Sequence, residues 1–445
     1  MSTRSSIVTI KTIILIIILT SCRSTGQYVA PSTQLGLITQ WNEMQFVFPT
    51  ADHRQLAVFQ GKYVRGNSVP LDVDLDYSDT GRSRLFVTVP RFQEGIPITL
   101  GVVSTSFATN ESVIHAYPSY SWQESHGANC DGITSVFRVA IDECERLYVL
   151  DTGRIGERLY CPPQLLVFNL RNDKLLQRYK FPFNILQDTS ILVTPVVNVL
   201  DPPPGKCRDT QVYIADVTTF HMIVYDMKTR SSWRTANKLY YPHPTYGTFN
   251  VAGETFDLMD GLVGMALSPK NTLGGQQMFF HPMASTSEMT VPLWVLNNRT
   301  AWENAGFFDY YQPRAFIELG DRGTQSVAQA MDRYGNLYFG LIDPIAIACW
   351  NIDSPYDNQN IKIVSQNDAT LQFASGVKII TNRLGEEELW VITNRFQKAL
   401  TGSITMNEVN FRILAIPTNQ LLDINKRCVG TPLTTKFTSF GKFSI

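Results

Sequence analysis

The sequence has no excess of charge of either sign. Its 445 residues include 38 lysines and arginines against 39 aspartates and glutamates, without a long run of like charge. Nucleic-acid binding and electrostatic attachment to a membrane both need a basic surface. The balanced charge therefore argues against both kinds of partner.

Motifs for catalysis and for cofactor binding are also missing. The chain has no Gly-x-Ser-x-Gly elbow, no Gly-x-Gly-x-x-Gly motif, no P-loop and no Cys-x-x-Cys pair. Its six histidines do not follow metal-ligand spacing, so we expect each to be a surface or packing residue. We therefore predict no cofactor and no metal. The histidines are His53, His115, His126, His221, His243 and His281.

A long apolar run occurs at the N-terminus. Arg4 and Lys11 precede the apolar residues 13–19, and small residues follow. This order is typical of a secretory signal, and the run is far shorter than the ~20 residues that span a bilayer. We predict a signal peptide over residues 1–26 and a secreted, extracellular protein without membrane attachment after its removal. A signal anchor is the alternative, and Leu19-Thr-Ser-Cys22 would also pass as a bacterial lipoprotein box.

The cysteines beyond this segment are even in number. In a secreted chain this suggests disulfides, although six cysteines permit fifteen pairings. They are Cys130, Cys144, Cys161, Cys207, Cys349 and Cys428. Asn110 and Asn298 each begin an Asn-x-Ser/Thr sequon, so we predict glycosylation there.

Helical periodicity is scarce, and one type of strand recurs instead. Short runs rich in Val, Ile, Tyr and Phe are bounded by Gly, Pro, Asn and Asp, the pattern of strands and turns. Six similar runs begin at intervals of 62, 65, 66, 59 and 52 residues, and periods of this size indicate propeller blades. The runs begin at Leu85, Leu147, Val212, Met278, Leu337 and Leu389.

Each run has a similar context, with one strand before it and one or two after it. This predicts an all-β, six-bladed β-propeller with four-stranded antiparallel blades and a central channel, spanning residues 27–425. A tail, 426–445, would carry Cys428. We expect a strand between Leu35 and Phe48 to close the ring and remove the free sheet edges. Two β-sandwiches are the alternative, but they would not keep a ~60-residue period.

Three small-residue turns precede innermost strands, which line the channel. They are Cys130-Asp131-Gly132, Met259-Asp260-Gly261 and Ala374-Ser375-Gly376. The ends of such strands form a natural small-ligand site. Asp131 and Asp260 would act there as a base or a calcium ligand, or else cap strands by accepting backbone N–H bonds.

Besides these repeats, the amino-acid sequences of several segments resemble those of the yellow / major royal jelly protein family of insects. One such segment is Leu147-Tyr-Val-Leu-Asp-Thr-Gly-Arg154. The full ordered set lies within about residues 35–422 and comprises 85–100, 147–154, 161–168, 213–216, 260–261 with 264–269, 280–286, 348–350, 393–396 and 407–412.

The resemblance implies a secreted six-bladed propeller and makes the lipoprotein box a coincidence. It also implies three disulfides, Cys130–Cys161, Cys144–Cys207 and Cys349–Cys428. Family members act in cuticle pigmentation, convert dopachrome, bind biogenic amines in the channel or serve as food proteins. The absence of simple repeats and storage tracts argues against the food role.

Two functions follow as expectations. The first is binding of a small catechol or aromatic amine, which would stack on Phe396 and contact Asn394 and Ser375. Asn394 could equally be a turn residue and Phe396 a core residue, and Gln372-Phe-Ala-Ser-Gly376 departs from the commoner family wording. The second is cofactor-free dopachrome conversion with Asp260 or Asp131 as the base. A calcium-dependent six-bladed hydrolase is a third alternative.

Overall fold

The structure, a computed structural model, describes residues 34–77, 83–105, 111–305 and 312–433. The predicted signal segment with Cys22, the sequon asparagine Asn110 and the end of the tail lie outside these residues. No helix within the described ranges is both long enough and apolar enough to cross a bilayer.

Six antiparallel blades follow one another along the chain, as the sequence predicted. The chain starts with β1 (Gly36–Trp41), β2 (Phe46–Val47) and helix α1 (Ala51–Phe59). Blade one comprises β3 (Asp72–Asp76), β4 (Arg84–Thr88), β5 (Leu100–Thr105) and β6 (Ser112–Ala116). Blade two comprises β7 (Val136–Ile141), β8 (Arg146–Asp151), β11 (Gln164–Asn169) and β12 (Lys174–Lys180), with a hairpin of β9 (Arg154–Ile155) and β10 (Arg158–Leu159). Blade three comprises β13 (Leu192–Val199), β14 (Thr210–Asp216), β15 (His221–Asp226) and β16 (Ser231–Ala236).

The second half repeats this plan. A hairpin of β17 (Thr248–Val251) and β18 (Glu254–Asp257) precedes blade four. Blade four comprises β19 (Leu262–Leu267), β20 (Gln277–Pro282), β21 (Ser287–Pro292) and β22 (Ile317–Asp321), with helices α2 (Leu293–Leu296) and α3 (Arg299–Asn304). Blade five comprises β23 (Gln329–Met331), β24 (Asn336–Leu341), β25 (Ala346–Asn351) and β26 (Lys362–Gln366). Blade six comprises β27 (Ala374–Thr381), β28 (Glu387–Thr393), helix α4 (Phe396–Thr401) and β29 (Phe411–Pro417). The last strand is β30 (Thr431–Pro432), and 3-10 turns occupy Tyr120–Trp122, Lys238–Tyr240, Pro244–Tyr246, Pro313–Ala315 and Thr418–Leu421.

The six recurring runs are the second strands of the six blades: β4, β8, β14, β20, β24 and β28. Second strands lie between two neighbours in their own blade and between two blades, and β8 and β24 are buried at every position. A strand buried on both faces needs an almost continuous apolar sequence. This explains why these runs, rather than the first or fourth strands, were visible in the sequence.

The ring closes through its N-terminus, as predicted. Strand β1 pairs with β29 and so becomes the outermost strand of blade six, with Trp41 opposite Phe411. Both aromatic side chains are buried between blades six and one. Strand β2 pairs with β6 and ties the same N-terminal segment to blade one.

The start of the tail differs from the predicted boundary at residue 425. Strand β30 pairs with β26 and adds a fifth strand to blade five. The Cys349–Cys428 disulfide holds the segment against β25. The structure also contains Cys130–Cys161 and Cys144–Cys207, so its three disulfides are the pairs that the resemblance implied.

Asp151, the last residue of the run Leu147–Asp151, fixes the start of the innermost strand of blade two. Its buried carboxylate accepts hydrogen bonds from the backbone N–H groups of Thr134, Ser135 and Gly153 and from Gln164 Nε2. Asp216 repeats the arrangement in blade three, where it accepts bonds from Ser190 and Thr219. These aspartates hold the loops that lead into the innermost strands.

We expect Asp151→Asn to lower the free energy of unfolding by about 2–4 kcal/mol, because the amide replaces an acceptor oxygen by a donor in a buried site of four donors. Denaturant unfolding monitored by tryptophan fluorescence measures the loss. Asp353→Asn, at a side chain with 67% exposure, is the matched control and should change stability by less than ~0.5 kcal/mol. Equal effects of the two substitutions would contradict the role of Asp151.

Candidate functional site

A cavity of about 380 Å³ lies at the end of the channel where the innermost strands begin. All six blades line it. Their contributions, from the start of each innermost strand or from the one or two residues preceding it, are Leu71, Phe137 with Arg138, Val193, Val263, Val327 and Phe373. The volume fits a small single-ring or bicyclic molecule.

Irregular pairing brings these residues to the cavity. The innermost strands of blades two, three, four and six each shift register against the second strand close to their start. Such a bulge re-aims the side chains that it contains. Phe137 and Arg138 are neighbours that would face opposite sides of a regular strand, yet both line the cavity. The bulge between Val136 and Val139 accounts for this.

Loops and short elements outside the four-stranded sheets complete the wall. The β9–β10 hairpin contributes Gly156 and Glu157, and helix α4 contributes Phe396 and Leu400. The β17–β18 hairpin packs against α4, where Glu254 accepts hydrogen bonds from Thr401 and Ser403. Segments outside the four-stranded sheets therefore cover part of the cavity.

Four phenylalanines form one side of the cavity. Phe396 stacks on Phe373 with ring centroids 4.9 Å apart and an interplanar angle of 23°. Phe92 contacts both Phe396 and Phe137, at 5.7 Å and 5.3 Å. Phe373 has a φ of 43°, a left-handed conformation that is strained for a bulky residue and that costs about 1–3 kcal/mol. Strain of this kind is concentrated at functional sites, and here it sets one face of the aromatic group.

Asp260 places a carboxylate in the wall of the cavity. It lies two residues before β19, and its backbone carbonyl accepts a bond from the Ala284 N–H. Its carboxylate makes no hydrogen bond or ion pair with the described residues, and burial raises its pKa to about 6. A carboxyl with these properties can bind a cation or exchange a proton near neutral pH.

Three arginines line the cavity, and their bonding differs. Arg91 and Arg154 are buried, and both donate to backbone carbonyl oxygens, among them Thr134 and Pro97 for Arg91 and Ser190 for Arg154. Arg138 donates no hydrogen bond to any described residue, although the residue is only 4% exposed. The first two arginines hold loops in place, whereas the guanidinium of Arg138 is not committed to the fold.

Of the residues predicted to bind a ligand, Asp260 and Phe396 line the cavity and Asp131 does not. The turn at residues 129–132 runs past the outermost strand of blade two instead of entering β7 directly. There the carboxylate of Asp131, with a side chain 79% exposed, lies 3.6 Å from Lys180 Nζ, and its carbonyl accepts a bond from Arg178. Asp131 therefore lies away from this cavity, because the loop between Gly132 and Val136 separates this turn from the start of β7.

Ser375 and Asn394 lie next to the cavity but have a structural role. Both are buried, and neither lines the cavity. Ser375 Oγ donates to the Leu71 carbonyl and accepts a bond from Asn394 Nδ2, which also donates to the Pro70 carbonyl. The two residues thus join blade six to the loop before blade one, which differs from the predicted contact with a ligand.

Sequence reasoning missed Arg138 and three of the phenylalanines, Phe92, Phe137 and Phe373. For Arg138 a signal was present, because Val136-Phe-Arg-Val-Ala-Ile141 places one arginine within an apolar innermost strand. Within the described ranges, no three His, Cys, Asp or Glu side chains are arranged to hold a metal ion.

Comparison with known proteins gives consistent matches. The family model described as "Major royal jelly protein" matches residues 134–428. The chain is 36% identical over 412 residues to major royal jelly protein 9 of Apis mellifera, covering 90% of this chain and 91% of that protein. It is 30% identical over 413 residues to dopaminechrome tautomerase of Drosophila melanogaster, covering 90% and 85%. It is 32% identical over 410 residues to protein yellow of Drosophila yakuba, covering 88% and 72%.

The unpaired carboxylate should make stability depend on pH. Because its pKa rises from 3.8 to about 6 on folding, Asp260 lowers the free energy of unfolding as the pH rises through this range, and the loss is complete above it. At about 1.4 kcal/mol for each pKa unit, the loss is about 2–3 kcal/mol. We expect Asp260→Asn to be more stable than the wild type at pH 7 by up to this amount, and the difference to vanish below about pH 4.

Chemical unfolding of both proteins across this pH range measures the effect. Asp131→Asn is the control. Because this side chain is exposed, its substitution should change the free energy of unfolding little at any pH. A destabilised Asp260→Asn at pH 7 would indicate that the carboxylate has a structural partner.

Proposed function

This chain belongs to the major royal jelly protein family, and on that premise we propose that it binds a small catechol or aromatic amine in the channel cavity. The observation that carries the proposal is a phenylalanine-lined cavity whose wall holds Asp260, a carboxylate without a partner among the described residues and with a raised pKa. Aromatic faces attract planar rings and cations, and a carboxylate of low solvation attracts an ammonium group.

The dimensions and chemistry support this class of ligand over others. A volume of about 380 Å³ is too small for an oligosaccharide or a folded peptide, and the wall is mostly apolar. Phe396, from α4, and Asp260, from the start of β19, come from different blades, so a ring stacked on the phenylalanines could direct its amine across the cavity to the carboxylate. We place the ligand between these two residues.

We further propose that the protein is secreted and acts in cuticle pigmentation, on the melanin route. The three disulfides fit an oxidising compartment, and two of the relatives are named protein yellow and dopaminechrome tautomerase. Asn298 is exposed at the start of α3 and accessible to a glycan. Within this proposal the partner is the small ligand, with no role for nucleic acid or a membrane.

Titration of the purified protein with dopamine and serotonin tests the binding proposal. We expect calorimetric binding at neutral pH, about 10- to 100-fold weaker binding to Asp260→Asn through loss of the charge pair, and about 2- to 10-fold weaker binding to Phe396→Leu through loss of the ring face. Phe183→Leu, at an exposed phenylalanine outside the cavity, is the control for Phe396→Leu. Absence of heat and of any thermal shift at millimolar ligand would refute the proposal.

The second candidate function is an aminochrome tautomerase, favoured by the pKa of about 6 at Asp260 and by the name of one relative. Such a reaction moves a proton from a ring-adjacent carbon to a quinone oxygen, with the C–H electron pair entering the ring. It is an isomerisation, so it needs no oxidant, reductant or cofactor. An ionised Asp260 would remove the carbon-bound proton and the same carboxyl, or water, would deliver one to oxygen.

Decay of the aminochrome absorbance distinguishes the two functions. If the protein is a tautomerase, decay of dopachrome or dopaminechrome exceeds the uncatalysed rate, and Asp260→Asn reduces kcat by at least ~100-fold. The catalysed rate should fall below about pH 6 as Asp260 becomes protonated. Asp131→Asn should retain full activity. Binding without faster decay would leave the protein as a binding module.

A further inference from the structure

Arg138 is a buried cation without a hydrogen-bonding partner. The residue is 4% exposed, it lines the cavity, and its Nε is enclosed with no acceptor in reach among the described residues. Enclosing a guanidinium in this way is unfavourable unless an anion or several acceptors compensate the lost hydration. Arg91 and Arg154, which also line the cavity, are compensated in this way, because backbone carbonyl oxygens accept hydrogen bonds from both guanidinium groups.

Asp72 does not neutralise Arg138. Burial lowers the pKa of the Arg138 guanidinium, and the charge of Asp72 opposes this shift without forming an ion pair with Arg138. Asp72 is paired instead with Lys378, whose Nζ lies 3.1 Å from Asp72 Oδ2, and the same oxygen accepts the Val139 N–H. Asp76 is paired with Arg84, and Asp74 forms no ion pair but accepts the backbone N–H groups of Leu75 and Ile141. None of the three carboxylates on β3 therefore forms an ion pair with Arg138.

The position of Arg138 is set by a special feature of the backbone. It lies within the register shift between Val136 and Val139, together with Phe137, and this bulge directs both side chains to the cavity. A regular β7 would have sent one of the two away from it. The fold thus presents one aromatic ring and one uncommitted guanidinium side by side.

We propose that Arg138 binds the carboxylate of the ligand, so that the preferred ligand is a catechol or aromatic amino acid and not its decarboxylated amine. This inference rests on the proposed function and specifies its ligand class. Arg138 supplies a positive charge, Asp260 supplies a negative charge, and the phenylalanines lie in the same wall. A zwitterionic amino acid with an aromatic side chain matches this set, because a guanidinium forms two parallel hydrogen bonds with a carboxylate.

Four catechols that carry different sets of charged groups on a short side chain test the proposal. They are 4-methylcatechol with neither group, dopamine with the amine, 3,4-dihydroxyphenylacetate with the carboxylate, and L-dopa with both. Each is titrated calorimetrically, with ascorbate present against oxidation, into the wild type, Arg138→Met and Arg383→Met. Arg383 is exposed in the turn between β27 and β28 and serves as the matched loss of one positive charge.

For the wild type and Arg383→Met we expect L-dopa to bind at least about 10-fold more tightly than dopamine. For Arg138→Met we expect this advantage to disappear, while the affinities for dopamine and 4-methylcatechol change by less than about threefold. We also expect apo Arg138→Met to unfold at the same or a higher temperature than the wild type, because methionine removes an uncompensated buried charge without leaving a large cavity.

The possible outcomes separate this inference from the proposed function. If dopamine and 4-methylcatechol bind but the carboxylate adds nothing, or if Arg138→Met keeps the preference for L-dopa, the inference is wrong and the proposed function stands. If none of the four binds at millimolar concentration, both are wrong. If Arg138→Met and Arg138→Gln are both unfolded or strongly destabilised, Arg138 is structural and the inference is overturned.

Discussion

The closure of the ring by β1 is the constraint on which the candidate site depends. The cavity is lined from all six blades, so it exists only if blade six stays next to blade one. Pairing of β1 with β29 completes blade six, and the bonds of Ser375 and Asn394 to residues 70 and 71 lock its inner edge to blade one. Residues that seemed suited to hold a ligand thus hold the site together.

Asp260 and Arg138 are charged groups in the cavity wall whose side chains have no partner among the described residues. Other charges near the channel are paired or capped: Lys378 pairs with Asp72, and Asp151 accepts hydrogen bonds from four groups. Asp260 and Arg138 are exceptions in one cavity, and each destabilises the empty protein. Proteins commonly accept such a loss at a binding site, where a ligand compensates it. The strained backbone at Phe373 belongs to the same pattern.

The architecture could be predicted from the sequence because each blade contains one buried second strand. These strands therefore recur along the chain at intervals of about one blade. The continuous apolar runs at β8 and β24, and the closing strand near Trp41, follow from burial on two faces and from the need to protect a sheet edge. The site was harder to predict. Asp131 and Asp260 both stand before a glycine, yet only Asp260 enters the channel, because four residues of loop separate Asp131 from β7. The bulge that directs both Phe137 and Arg138 to the cavity has no reliable sequence pattern.

We propose that the mouth of the channel binds a small charged aromatic molecule, and a crystal structure of the purified protein grown with saturating L-dopa would show the complex. We expect the ring beside Phe396, the amine within hydrogen-bonding distance of Asp260 and the carboxylate on Arg138. An empty cavity in that crystal, with the ligand bound elsewhere or nowhere, would refute this binding site.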